Sequence, residues 1–191
     1  MQLSTEEKKQ SWLDRPIFET ISLNWEVILF GLILALAIFT RLYDLGARVM
    51  SHDESLHTYF SWVLFKRGEF AHTPLMHGPF QFHFLALVYF LFGDNDFTAR
   101  IPAIITSIAT IGFLWQYRRY LGRIGPLVAA FLFTFSPFML YYGRYVRNES
   151  YVGLFGIITL WAVLRYLDTG KHHFLYWLVT ATSLHFTTKE T

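Results

Sequence analysis

The sequence predicts an all-α, polytopic membrane protein, and three observations carry this prediction. Of the 191 residues, 53% are hydrophobic, 19% are aromatic and only 16% are charged, which is too apolar for an ordinary soluble domain. The apolar residues are gathered into runs, of which four are long enough for a membrane-spanning helix of roughly 17–25 residues and a fifth, residues 174–188, resembles the start of another. The charges cluster between the runs, where water can solvate them. We therefore expect about five transmembrane helices.

A polar arm of residues 1–20 precedes the first predicted span, residues 21–42. The arm is too long and too polar for the basic leader of a signal peptide, and no small-residue cleavage pattern follows the apolar run. We therefore expect an uncleaved anchor with Glu26 and Arg41 as interfacial residues near its ends. Arg100 falls in the first turns of the second span, where a helix tolerates it. The remaining predicted spans are residues 97–117, 126–142, 150–167 and 174–188.

Residues 80–92 are apolar but short, and runs of about 10–14 residues more often lie in the membrane interface than across it. If this segment spanned, the basic loop at residues 118–123 would face away from the basic N-terminal arm, against the positive-inside bias. We therefore predict a surface helix at residues 80–92 and a cytoplasmic N-terminus at the plasma membrane. The residues then inside are Lys8, Lys9, Arg15, Arg118, Arg119, Arg123, Arg165 and Lys171. Those outside are Asp53, Glu54, Asp94, Asp96, Glu149 and Glu190.

This topology makes residues 43–96 one long outer loop. Apolar residues recur in it at helical spacing and predict an amphipathic surface helix over residues 55–66. Glycine and proline residues then interrupt the chain before the second surface helix at residues 80–92. The outer loop therefore has structure of its own.

An acidic pair, Asp53 and Glu54, stands at the start of the first surface helix. Carboxylates at this position are stabilised by the helix dipole, so one interpretation is a helix cap. The other is a general base at the mouth of a cavity. Adjacent side chains on a helix point in different directions, so one carboxylate can face a site while the other supports it.

Arg144 and Arg147 lie in the loop between the third and fourth spans, on the predicted outer side, which opposes the positive-inside bias. The planar guanidinium fork suits phosphate oxygens, so one interpretation is a site for a lipid-linked phosphate. The alternative is contact with ordinary lipid headgroups. Glu149 adds a second acidic residue on the same side as Asp53.

Five of the eight histidines fall in the outer loop: His52, His57, His72, His77 and His83. Their spacing is not that of a HExxH helix or a Cys/His cluster, and the chain has no cysteine, so a zinc site is not indicated. They are better suited to hydrogen-bonding substrate hydroxyls or to lying in the headgroup zone. Lys189 and Glu190 could join the site from the outer end of the last span, although a charge pair at a helix end is common.

The order of the motifs resembles the GT-C glycosyltransferases over about residues 20–191. The series consists of the outer acidic pair at Asp53, the His/Pro-rich stretch around His77, the segment from Phe97 to Pro102, and the run from Ser136 to Glu149. Within GT-C it is similar to the dolichyl-phosphate-mannose protein mannosyltransferase group, which includes the lipid A aminoarabinose transferases. It is most similar to a bacterial and archaeal branch labelled flippase-activity-associated.

The resemblance implies that Asp53 is the catalytic carboxylate, with Glu54 beside it, and that Arg144 and Arg147 hold the departing lipid phosphate. Glu149 stands where many relatives carry Asp and is assigned a supporting role. The further supporting candidates are His52, His77, Lys189 and Glu190. The implied partners are a polyprenyl-phosphate-linked sugar and membrane lipids, with no nucleic acid. Some members use a divalent cation, which the sequence neither requires nor excludes.

Relatives have many more spans than this chain, so we expect either a part of a longer polypeptide, with residues 21–191 as its first transmembrane portion, or a shortened paralogue. Two function hypotheses follow. The chain is a membrane glycosyltransferase acting on the outer face, or it is a non-catalytic subunit that packs in a larger membrane protein complex. A transporter or flippase is disfavoured because no span carries the buried charges that such proteins tend to place near the bilayer midplane.

Overall fold

A computed structural model of the protein describes residues 24–71 and 78–189, which contain nine α-helices and no strand. The helices are α1 (Trp25–Leu42), α2 (His52–Arg67), α3 (Phe80–Phe92), α4 (Asp96–Phe113), α5 (Arg118–Leu121), α6 (Gly125–Phe135), α7 (Pro137–Tyr142), α8 (Glu149–Thr169) and α9 (His173–Thr188). A 3₁₀ turn at Leu114–Tyr117 joins α4 to α5. The N-terminal arm predicted at residues 1–20 lies outside the described residues.

The predicted helical membrane fold is confirmed. Within the described residues, three helical stretches are long and apolar enough to cross a membrane: Trp25–Leu42, Asp96–Leu121 and Glu149–Thr169. The predicted span at residues 174–188 forms α9, whose 16 residues fall just short of the roughly 17–25 that spanning needs. Of the five predicted segments, three therefore form helices of spanning length, one forms a shorter helix and one is broken.

The broken helix is the predicted span at residues 126–142, which ends at Phe135 and resumes at Pro137. Ser136 between the two parts has an extended backbone, as the residue before a proline prefers. Pro137 lacks an N–H group, so the carbonyl of Phe133 four residues earlier loses its helical donor. The Arg41 guanidinium donates to that carbonyl at 3.1 Å instead.

Arg41 and Glu26, predicted as interfacial residues near the ends of the first span, are fully buried against neighbouring segments of the protein. Nε of Arg41 also donates to the Ser107 hydroxyl at 2.8 Å, and Glu26 accepts from Arg118 and Arg123. Both charges lie in the end turns of α1 and not near its middle. Packing against the neighbouring segments supplies partners that a helix alone in lipid would lack.

Both segments predicted as surface helices are helical, and their position on the membrane surface stays a prediction. The second, α3, spans Phe80–Phe92 as predicted, and the first, α2, extends beyond residues 55–66 to His52–Arg67. A capping box at Ser51 begins α2, and Gly68 in the left-handed conformation ends it. The buried face of α2 is polar and its exposed face is apolar, the reverse of a helix in a soluble protein. The residues of the buried face are Glu54, His57, Thr58 and Ser61, and those of the exposed face include Leu56, Tyr59 and Phe60.

Two apolar clusters hold the helices together. The first joins α1, α4 and α6 through residues that include Phe30, Ile111 and Leu127. The second joins α3 and α4 to the loop at residues 143–148 through Leu85, Ala99 and Val146. The second cluster therefore brings residues 43–51, the start of α2, the start of α4 and the 143–148 loop to one end of the bundle, which we call the site end.

Candidate active site

Glu54 is the centre of the site end. Its side chain is fully buried, and it accepts hydrogen bonds from Arg100 Nε at 3.1 Å and from Arg48 at 2.8 Å. It also accepts from the backbone N–H groups of Ser51 at 3.1 Å and Val146 at 3.3 Å. A buried carboxylate needs such partners because desolvation penalises its charged form. Glu54 therefore ties together the segments that form the site.

Arg100 is the buried partner of Glu54, with 1% of its side chain exposed. Besides the carboxylate, it donates to the carbonyls of Leu45 at 2.6 Å and Arg48 at 3.0 Å. Sequence analysis gave Arg100 no role beyond being tolerated near a helix start. Its guanidinium instead anchors the chain between α1 and α2 to the start of α4.

Asp53 lies beside Glu54 but faces outward, since successive residues are about 100° apart around a helix. Its side chain is 45% exposed, and its Oδ2 lies 3.1 Å from Nη1 of Arg147. Nε of Arg147 lies 3.4 Å from Oε1 of Glu149. The two acidic residues, far apart in sequence, thus meet on one guanidinium. Oε2 of Glu149 is buried without a hydrogen-bond partner in the described part of the chain.

Next to this network lies a cleft of about 540 Å³ between residues 43–48 and residues 137–144. Three arginines line it, Arg48, Arg100 and Arg144. Arg144 donates to the carbonyl of Tyr43 at 2.6 Å and has no carboxylate contact within the described residues. Burial, and then the positive charges of Arg48 and Arg100, lower the pKa of Arg144. An anion in the cleft would relieve this repulsion.

Aromatic rings complete the walls of the cleft. The Arg48 guanidinium lies over the rings of Tyr141, at 5.4 Å, and Tyr145, at 5.3 Å. The Tyr145 hydroxyl is hydrogen-bonded to the Ser51 hydroxyl, and burial of the phenol raises its pKa. These contacts hold Arg48 at the cleft and Tyr145 at the start of α2.

An apolar groove of about 500 Å³ runs along the same helices in the bundle, between α1 and α6. It is lined by Leu29, Leu32, Leu36, Val128, Phe131 and Phe135, among others. The cleft comes next along this seam, because its walls come from the chain that follows α1 and from α7, which follows α6. An apolar groove and a cationic cleft therefore succeed one another along the same two segments of the chain.

The other predicted supporting residues are placed as follows. His52 is the first residue of α2 and is exposed, and Lys189 caps the end of α9 half-buried. His77 and Glu190 lie outside the described residues. Their supporting roles stay predictions.

A divalent cation does not fit the residues as they stand. In residues 24–71 and 78–189, no group of three or more His, Cys, Asp or Glu side chains could hold a metal ion. Asp53 and Glu149, the acidic pair nearest to such a site, are bridged by Arg147. We therefore assign no step to a cation.

Sequence analysis missed Arg48, Arg100 and Tyr145. Arg100 could have been found from the sequence, because it is an arginine at the start of an apolar span. An arginine at such a position needs a buried partner if its side chain faces the protein. Arg48 and Tyr145 carried no such signal, because their roles depend on contacts between segments that are far apart in sequence.

Comparison with known proteins gives one family. The family model described as dolichyl-phosphate-mannose-protein mannosyltransferase matches residues 76–191, more than half of the chain. No curated protein and no solved structure matches the sequence. The match covers α3 to α9, including Arg100, Arg144, Arg147 and Glu149, while Asp53 and Glu54 precede it.

Proposed function

Because the chain belongs to the dolichyl-phosphate-mannose-protein mannosyltransferase family of GT-C-type membrane glycosyltransferases, we propose that it transfers a sugar from a polyprenyl-phosphate donor to an acceptor. The proposed reaction takes place at the site end, and the basic loop at residues 118–123, which lies at the opposite end, supports the outer face of the membrane for it. The enzyme would act at the plasma membrane with its N-terminus in the cytoplasm.

The observation that carries this proposal is the apolar groove that is followed by a cationic cleft along the same two segments of the chain. A polyprenyl phosphate has a long apolar chain and an anionic head. The apolar groove matches the chain in polarity, the cationic cleft matches the head, and groove and cleft follow one another in the same order as chain and head. Arg144 is the residue best suited to the phosphate, since it makes no ion pair within the described residues, although Asp44 lines the same cleft. Arg48 lines the same cleft, although it shares Glu54 with Arg100.

Asp53 is the group suited to activate the acceptor. It is partly exposed and can therefore meet a hydroxyl from solvent, unlike the buried Glu54. In the proposed step the acceptor oxygen attacks the anomeric carbon of the donor sugar while Asp53 takes the hydroxyl proton. The bond between the anomeric carbon and the phosphate oxygen breaks, and the lipid phosphate leaves with the bonding electrons toward Arg144.

In this scheme Arg147 does not have the phosphate-binding role that was predicted for it. Its guanidinium already contacts Asp53 and Glu149, so it is placed to orient the base rather than to receive a new anion. The ion pair between Glu54 and Arg100 keeps Asp53 in position, because it holds the first turn of α2 in place.

The function is tested by transfer in vesicles. The full polypeptide is reconstituted and given either a radiolabelled polyprenyl-phosphate sugar or the same sugar on a nucleotide. We expect product from the lipid donor alone, because the seam matches a lipid chain and the sequence has no glycine-rich nucleotide loop. Transfer from the nucleotide sugar would contradict the proposal. Transfer from neither donor, by folded protein supplied with varied acceptors, would favour the non-catalytic subunit instead.

The variant Arg144→Gln is expected to lower kcat/KM for the lipid donor by about 10- to 100-fold, the factor for losing a hydrogen bond to a charged group. The amide keeps a donor for the Tyr43 carbonyl but not the positive charge. Arg67→Gln is the matched control, since Arg67 is exposed and does not line the cleft. An equal loss in both variants would show that the phosphate is not held at Arg144.

A further inference from the structure

A second pocket lies on the other side of α2 from Asp53. It has a volume of about 230 Å³ and is lined by Tyr59, Trp62, Tyr89, Asp94 and Asp96, among others. Trp62 follows Asp53 by nine residues, which places the two side chains about 180° apart around the helix. The pocket is therefore separate from the site proposed for transfer, although both open near the site end.

The aromatic wall of this pocket is held in place by its acidic wall. Nε1 of Trp62 donates to Oδ2 of Asp94 at 2.6 Å, and Nζ of Lys66 lies 3.7 Å from Oδ1 of the same carboxylate. The indole hydrogen bond is the main reason why the pKa of Asp94 is lowered. The Trp62 ring and the Asp94 carboxylate therefore form one fixed unit with a cation at its edge.

Tyr89 supplies an unused polar group. Only 4% of this residue is exposed, and its hydroxyl has no hydrogen-bond partner in residues 24–71 and 78–189. Burial, followed by the charges of Asp94 and Asp96, raises the pKa of the phenol, so both carboxylates lie near it. Asp96 makes no ion pair among the described residues. The hydroxyl of a buried tyrosine and an exposed carboxylate thus line the same small pocket, and neither has a partner among the described residues.

We propose that this pocket binds a single sugar ring, as a second carbohydrate site apart from the site of transfer. The apolar C–H face of the ring lies against Tyr59 and Trp62, while its hydroxyls bond to Asp96 and to the Tyr89 hydroxyl. Sugar hydroxyls both donate and accept, so they suit a pocket that offers carboxylates, a phenol and the Lys66 ammonium together.

Size and charge restrict the ligand further. The pocket is smaller than the roughly 300–1,000 Å³ of sites for drug-sized ligands, so it holds one ring and not a longer chain. Lys66 offsets part of the acidic charge, which favours a neutral sugar over a cationic amine. The ring would belong to a glycan at the membrane surface, and the proposal does not depend on catalysis by Asp53.

The test is saturation-transfer NMR on the full polypeptide in detergent micelles, with methyl α-D-mannopyranoside as the probe. We expect transfer to the ring protons in the wild type. The variant Tyr89→Phe should weaken binding about three- to ten-fold, the factor for losing one neutral hydrogen bond, and Asp96→Asn about ten-fold or more. Tyr176→Phe is the matched control, because Tyr176 is exposed on α9 and does not line the pocket.

Three results would overturn the proposal. The first is that folded protein gives no response to the mannoside, and the second is a response that neither Tyr89→Phe nor Asp96→Asn weakens. The third is a stronger response to tetramethylammonium, which would make the pocket a cation site. The variant Asp53→Asn separates this proposal from the proposed function. It should abolish transfer while leaving the mannoside signal intact, so failure of one proposal does not imply failure of the other.

Discussion

Replacement of Asp53 with asparagine is expected to slow sugar transfer by about 10²–10⁴-fold, the contribution of a positioned general base. Asparagine has nearly the same shape but cannot take the acceptor proton. The carboxylate is 45% exposed and is held by Arg147 at 3.1 Å, so the change should leave the fold intact. The measurement is the initial rate of transfer from a polyprenyl-phosphate sugar in vesicles, with KM for the donor determined separately.

Asp168→Asn is a closely matched control for this variant. Asp168 also lies 3.1 Å from an arginine, Arg119, but at the opposite end of the bundle. Its replacement should leave the transfer rate within about two-fold of the wild type, because a partly exposed ion pair contributes roughly 0–1 kcal/mol. Unchanged transfer by Asp53→Asn would remove Asp53 from the chemistry. A rise in KM with kcat unchanged would assign it to donor binding instead.

The variant Glu54→Gln is expected to destabilise the protein by about 3–5 kcal/mol, the range for breaking a buried ion pair by removing one partner. The substitution leaves the Arg100 charge buried without a carboxylate, and only 1% of that side chain is exposed. It also weakens the bonds from Ser51 and Val146 that hold the site end. The measurement is the shift of the unfolding transition in detergent micelles, by heat or by denaturant.

Two further variants identify the cause of that loss. In Glu54→Gln/Arg100→Gln no buried unpaired charge remains, because Arg48, the other partner of Glu54, is 46% exposed, so stability should recover in part relative to the single variant. Glu149→Gln removes a carboxylate from a more exposed pair and should lower stability by less than about 1 kcal/mol. A loss below about 1 kcal/mol in Glu54→Gln would mean that the buried pair does not hold the site end together.

The separation of roles between Asp53 and Glu54 could be anticipated only in part. Helix geometry requires adjacent side chains to diverge, so one carboxylate was expected to face a site and the other to support it. Which one is buried depends on Arg100, which comes from α4, and on Val146, which comes from the loop after α7. No local pattern contains those contacts. Helix capping and a supporting role also prove compatible, since Glu54 completes the capping box at Ser51.

The burial of Glu26 and Arg41, the charged residues of α1, likewise depends on contacts that the local sequence does not indicate. Their positions near the ends of an apolar run predicted interfacial side chains, as for a helix that stands alone in lipid. Both are buried because Arg118 and Arg123 reach Glu26, and because Ser107 and the Phe133 carbonyl accept from Arg41. Pro137 was visible in the sequence as a helix breaker, but the arginine that satisfies the freed carbonyl was not.

The sequence by itself determined the elements of this protein. Apolar run length, proline and glycine positions and capping residues act within a few turns, so they predicted the membrane fold, the surface helix Phe80–Phe92 and the start of α2 near Asp53. The tertiary structure alone decided which charges meet, placing Arg147 between Asp53 and Glu149 and leaving Arg144 without an ion pair among the described residues. The physical reason is that the direction a side chain faces is set by helix packing, and packing joins residues that lie as many as a hundred positions apart.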